Sequence, residues 1–219
     1  MQDAAADTRG RPALHMGPVE WALVVLHSVL WGSAFFFVDL AKHELPATTI
    51  TALRLIPAVT VLAVIALATG HSLRPILGDW WRYLILAAVN NYIPFVLIIY
   101  GQGRVSGGIA AVFNATTPLF AIVLAHILTH DEKMRANRLA GIVVGIAGVA
   151  VLSGGIVSGA SPASLLAPLA LLGAAFCYAA AGVFGRSFAG THSYVVATGQ
   201  MAYSLAIAVP IMLILDRPW

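Results

Sequence analysis

Residues 19–40 read VEWALVVLHSVLWGSAFFFVDL, with Glu20 and Asp39 the only charges and both close to an end. A helix rises 1.5 Å per residue, so a stretch of this length reaches about 33 Å. The hydrocarbon core of a bilayer is about 30 Å thick. Within that core each backbone N–H and C=O has to be paired inside the segment, which selects a helix. Residues 19–40 therefore read as a membrane span.

Six more apolar stretches follow: Ala47–Thr69, Trp80–Tyr100, Gly107–Thr129, Leu139–Leu152, Ala163–Gly185 and Tyr194–Leu215. The fifth is the shortest, and Ser153 to Ile156 extend it. The polar connections between stretches are short, which favours antiparallel neighbours. Trp21, Trp80, Trp81, Tyr83, Tyr100 and Trp219 stand at stretch ends, as an interfacial aromatic belt requires. Composition agrees: 60% of residues are hydrophobic, 10% are charged, and mean hydropathy is +0.89. Soluble domains carry about 25% charged residues. The fold class expected is all-α integral membrane, with the lipid bilayer as its solvent.

The net charge of +3 sits in short loops, which excludes a nucleic-acid reading. Cys177 is the single cysteine, so an intrachain disulfide is impossible. The chain shows no Cys/His grouping for a metal, no phosphate loop, no Ser/His/Asp arrangement and no paired intramembrane carboxylates. No enzyme activity, cofactor or metal is expected. Residues 1–17 are polar and read as a disordered tail.

Lys and Arg fix the orientation. With the N-terminus cytoplasmic, the inside segments hold Arg9, Arg11, Arg74, Arg82, Lys133, Arg135, Arg138 and Arg186. The outside segments hold Lys42, Arg104 and Arg217. This bias places the N-terminus inside, opposite to heptahelical receptors and retinal proteins. A retinal protein also needs a lysine in its last span, and Tyr194–Leu215 has none.

The unit that begins in the first span begins again in the sixth. Trp31-Gly32-Ser33-Ala34 precedes Arg54 in the next span, and Tyr178-Ala179-Ala180-Ala181 precedes Gln200 in the next span at similar spacing. Five spans are an odd number, so the second copy enters from the opposite side. Such inverted repeats are common in secondary transporters. The reading divides the chain into residues 1–17 as a cytoplasmic tail, 18–156 as a first five-helix repeat, and 157–219 as the first two helices of a second. It predicts about three further spans beyond Trp219 in an intact protein.

Several side chains are candidates for a solute pathway. Pro94 and Pro118 cannot donate to the carbonyls of Asn90 and Asn114, so each kink frees a carbonyl beside an amide side chain. Asn90, Asn91 and Asn114 then line a hydrated cavity, or hold the bundle together through interhelical hydrogen bonds. Arg54 is the charge deepest within a span, about 10 Å from Ala47. It attracts a carboxylate solute, snorkels to the outer interface, or pairs with Asp39 or Glu44. His27, Trp31 and Phe35 share one helix face, with Asp39 beyond them. His27 is a candidate proton relay or a structural residue, and Trp31 a stacking or a packing aromatic. Gln200 and Tyr203 are the candidates of the second copy. Gly141 and Gly145, with Gly148, form a small face for close helix packing or for a homodimer.

Val29-Leu30-Trp31-Gly32-Ser33-Ala34-Phe35 resembles the first-span signature of EamA-type carriers in the drug/metabolite transporter superfamily. Arg54 within Thr51–Leu55, Ala115–Phe120, Asp131-Glu132-Lys133-Met134 and the glycine-rich Leu139–Leu152 are similar to the family's later features, in order and spacing. The resemblance implies ten spans in two inverted five-helix repeats, with both termini cytoplasmic in the inner or plasma membrane. It also implies secondary active carriers, frequently exporters, of amino acids, other metabolites or drugs. Small multidrug exporters are a rival, but they depend on a glutamate within the first span. Here Glu20 and Asp39 lie at its ends. A truncated chain that serves only as an inert or accessory membrane fragment is the other alternative.

Overall fold

The computed structural model describes residues 17–129, 136–157 and 165–217. The tail at 1–16, the basic loop around Lys133 and Trp219 lie outside them. Among the described residues there is no strand. The long helices are α1 (Pro18–Ala41) and α2 (Ala47–Ala68). A short α3 (Arg74–Gly78) precedes the third span, which consists of α4 (Trp80–Ala87), a π-helical turn (Ala88–Tyr92) and α5 (Ile93–Gln102). The fourth span is α6 (Gly107–Asn114) and α7 (Thr117–Leu128). Then come α8 (Ala136–Val157), α9 (Leu166–Gly185) and α10 (Ser193–Leu215).

Six spans among the described residues are long and apolar enough to cross a membrane: Pro18–Ala41, Ala47–Ala68, Trp80–Gln102, Gly107–Leu128, Leu166–Phe188 and Ser193–Leu215. The remaining stretch is helical over all of α8, but its described apolar run, Leu139–Val151, is shorter. The architecture is that of an all-α integral membrane protein.

Two spans are interrupted, and both interruptions follow from proline. Pro94 cannot bond to the Asn90 carbonyl, and its ring crowds that oxygen. The helix adds a π turn just before it, and the Ile93 N–H reaches back to the Ala88 carbonyl. Pro118 breaks the fourth span at Ala115-Thr116. There, the Thr117 hydroxyl donates to the Asn114 carbonyl at 2.7 Å, and the Thr116 hydroxyl donates to the Phe113 carbonyl at 2.7 Å. The carbonyl that Pro118 frees is thus satisfied locally.

Helix α9 is the axis of the bundle, with 44% of its apolar window buried against 11% for α1. It packs on α5, α6 and α7 around Phe35, Ile98, Ala110, Phe113, Leu171 and Ala174. Helix α10 packs most extensively on α2, and then on α4. Helix α8 rests chiefly on α7, where Gly145 lets Leu119 approach; Gly141 and Gly148 meet no neighbour within 4 Å.

Gly199 lets α10 press onto Tyr83, which is fully buried. A methyl group at Gly199 would fall inside the van der Waals envelope of the tyrosine ring and crowd Ile76 at 3.2 Å. Overpacking of this kind costs about 1–3 kcal/mol. Gly199→Ala should therefore lower the thermal midpoint of the purified protein. Gly182→Ala, where a Cβ meets nothing within 4 Å, should leave it unchanged. Equal midpoints for the two variants would contradict this packing.

Candidate functional site

Arg54 projects from the third turn of α2 toward α5, and its guanidinium carbon lies 4.4 Å from the centre of the Phe95 ring. Asp39, one of its expected partners, pairs with Lys42 at 2.5 Å, one helical turn away on its own chain segment. No ion pair to Arg54 occurs among the described residues. The cation is held by an aromatic face and not by a carboxylate.

Around it is a narrow cavity of about 30 Å³, lined by Trp31, Phe35, Arg54, Phe95, Gln102 and Tyr178, among others. Trp31 meets Tyr178 edge-on, with ring centres 5.9 Å apart. These two aromatics are the residues that the sequence pairs across the expected repeat. Arg54, Ala34 and Val38 also border a wider groove of about 450 Å³ between α1 and α2, whose other walls are mostly apolar. Arg54 thus stands where an open apolar groove meets a narrow polar-headed chamber.

The end of this chamber near Lys42 and Gln102 is tied together. The Lys42 ammonium donates to the Gln102 backbone carbonyl at 2.5 Å, and the Gln102 side-chain amide donates to the Phe35 carbonyl at 2.9 Å. A second tie joins α10 to α2. The Asp216 carboxylate accepts from the Thr49 N–H at 2.8 Å, from the Thr49 hydroxyl at 2.6 Å, and from the Thr48 hydroxyl.

The other candidates fall into separate groups. His27 and Trp31 have ring centres 5.8 Å apart, and with Asn114 they line a second groove of about 330 Å³ between α1 and α6. Asn90, in the π turn, donates to the Gln200 side-chain carbonyl at 3.0 Å. That bond joins the third span to α10. Asn91 and Asn114 are buried, and among the described residues the Asn91 Nδ2 and the Asn114 Oδ1 have no partner. Tyr203 stands apart from the Arg54 cavity. It stacks on Tyr83, and its hydroxyl donates to the Ile76 carbonyl at 3.5 Å.

Sequence reasoning singled out Trp31 and Arg54, but not Gln102, Phe95 or the contact of Tyr178 with this cavity. Gln102 closes an apolar run and looks like a helix-end polar residue. Its burial is a tertiary fact. Tyr178 had a signal, as the counterpart of Trp31 in the expected repeat.

Comparisons with known proteins bear on the family and the fold. The model of the EamA-like transporter family matches residues 20–154. The uncharacterized inner membrane transporter YedA of Escherichia coli K12 is 33% identical over 146 residues, covering 65% of this chain and 46% of YedA. Protein PecM of Dickeya dadantii is 30% identical over 124 residues, covering 57% of this chain and 40% of PecM. The uncharacterized transporter YoaV of Bacillus subtilis is 23% identical over 163 residues, covering 74% and 56%. The chain thus spans about half the length of the curated relatives it matches. A solved crystal structure superposes with TM-score 0.66 at 21% identity, over 88% of this chain and 66% of that one, which speaks for the fold alone. Matched over more than half its length, on the very helices that carry Trp31 and Arg54, this chain belongs to the EamA-like transporter family.

Proposed function

We propose that this chain forms the solute-binding body of a secondary active carrier that exports small carboxylate-bearing metabolites, amino acids among them. The observation that carries this reading is the unpaired Arg54. A cation at membrane depth costs about 2.5–3.5 kcal/mol on insertion scales. An aromatic face returns only about 0.5–2 kcal/mol. A fixed residue with that imbalance is suited to an anion that comes and goes.

Further features support the wider reading. The Lys and Arg distribution supports a cytoplasmic N-terminus, and the name of YedA supports an inner-membrane location. The extensive packing of α2 on α10 and the Trp31–Tyr178 contact are what an inverted repeat with a midplane site would produce. Alternating access then requires the two outer ties to break as the site opens outward. The open face at Gly141 and Gly148 suits a second copy of the chain. The small multidrug reading lacks its carboxylate: Asp39 is engaged by Lys42, and Glu20 is exposed at the helix start.

Counterflow in proteoliposomes tests the proposal. Vesicles preloaded with unlabelled leucine, lactate or benzoate should take up the matching labelled acid saturably, faster than protein-free vesicles. Rates equal to those of protein-free vesicles for every acid would refute it.

A further inference from the structure

The Arg54 charge and the space for the rest of a solute lie in different cavities. Phe95 belongs to the wall of the chamber of about 30 Å³, so its contact with the guanidinium carbon, at 4.4 Å, places the charge there. A cavity needs about 10–15 Å³ to admit one water, so the chamber admits about two oxygen-sized atoms. That is the head of a carboxylate without its body. The groove of about 450 Å³ between α1 and α2 adjoins it, for Ala34, Val38 and Arg54 stand in the walls of both. Small-molecule pockets enclose about 300–1,000 Å³, and the groove falls within that range. Leu30, Phe37, Leu45 and Leu53 line it and are exposed. The Ser33 hydroxyl in its wall already donates to the Leu30 carbonyl at 2.9 Å. Among the described residues that form these walls, Arg54 alone is charged.

We infer that the α1–α2 groove holds the body of the solute while Arg54 holds its carboxylate, so that the carrier selects monocarboxylic acids with a hydrocarbon body over acids whose bodies are short or charged. This rests on reading Arg54 as the carboxylate anchor. Only the head enters the chamber, so the rest of the solute passes Ala34 and Val38 into the groove. There it meets hydrocarbon side chains, and each methylene buried against them adds to affinity through the hydrophobic effect. A second carboxylate would lie against the same side chains without a donor, and burying an unpaired charge is costly. Leu30 on the α1 wall and Leu53 on the α2 wall are thereby residues that set specificity for the body of the acid.

The test is calorimetric titration of the 219-residue chain in lipid nanodiscs with butanoate, pentanoate, hexanoate and pentanedioate. Heats from empty nanodiscs are subtracted, and binding has to saturate at one acid per chain, which separates it from partition into lipid. Affinity should rise about fourfold with each methylene from butanoate to hexanoate. Pentanedioate, with a carboxylate at both ends of the same five carbons, should bind at least about tenfold more weakly than pentanoate. The double variant Leu30→Ala, Leu53→Ala keeps Arg54 and stays apolar, and should reduce the rise to less than about twofold per methylene. Equal wild-type affinities from butanoate to hexanoate would overturn the inference, leaving Arg54 as the anchor and the groove as a lipid contact. A fourfold rise that survives in the double variant would overturn it too, as would pentanedioate binding as tightly as pentanoate. Saturable binding of none of the four acids would overturn both readings together. If the double variant does not fold, the wild-type series and pentanedioate decide alone.

Discussion

Arg54→Met should abolish carboxylate binding and yet make the protein more stable. Methionine keeps the unbranched length of the side chain and can still lie on the Phe95 ring. What it removes is a charge with no ionic partner among the described residues. Losing the cation–π contact costs about 0.5–2 kcal/mol, while relieving the charge returns at most about 2.5–3.5 kcal/mol, the figure for a span centre. The net expectation is a small gain, seen as a higher thermal midpoint in detergent. Binding should move the other way. Truncating one partner of a buried charge pair costs about 2–5 kcal/mol, so affinity for a carboxylate should fall at least ~30-fold. Arg54→Lys retains the charge but not the planar fork, and should keep part of the binding. A structural arginine would behave in the opposite manner, with a lower midpoint and unchanged affinity. Unchanged carboxylate affinity in Arg54→Met would remove Arg54 from the solute pathway.

How much of this was legible in the sequence differs by level. The spans were readable because hydropathy over about 20 residues is a one-dimensional signal. Six expected stretches coincide with spans of the structure to within a few residues, and the expected extension of the fifth is present in α8. The family, too, could be identified from the order of weak motifs. The prolines announced interruptions at Pro94 and Pro118, but not their form. One became a π turn and the other a break capped by threonine hydroxyls. The site was legible only where a residue was anomalous in its own span, as Arg54 is. Its surroundings come from other helices: Phe95 from α5, Tyr178 from α9, and Gln102 from the end of α5. Local chemistry also decided the partner of Asp39. Lys42 lies one turn along the same segment, so it reaches the carboxylate at little entropic cost, and Arg54 is left with the ring.

Asp216→Ala should be the most destabilising single substitution at the end of the bundle where α2 begins and α10 ends. Helix α2 begins at Ala47 after Pro46, which has no side chain able to cap the first turn. The first N–H groups of a helix need acceptors, and an anion there also meets the positive end of the helix dipole. Asp216 supplies both from the far end of α10, bonding the Thr49 N–H, the Thr49 hydroxyl and the Thr48 hydroxyl. Thr48 and Thr49 are buried, so water does not readily replace the carboxylate. Hydrogen bonds to a charged group contribute about 1.5–3 kcal/mol each, and loss of an N-cap alone costs about 1 kcal/mol. Allowing for shared geometry, the alanine variant should lose about 3 kcal/mol. Asp216→Asn keeps one acceptor for the Thr49 N–H and should lose clearly less. Sequence alone gave no hint of this role, because Asp216 reads as the start of a loop and its partners lie more than 160 positions away. The extensive α2–α10 packing makes the tie consequential, since it closes one end of the joint between these two helices. Thermal midpoints in the order wild type, Asp216→Asn, Asp216→Ala would support a cap supplied across the bundle. An alanine variant that melts with the wild type would show that packing alone holds α10 on α2, and that Asp216 is free to serve some other purpose.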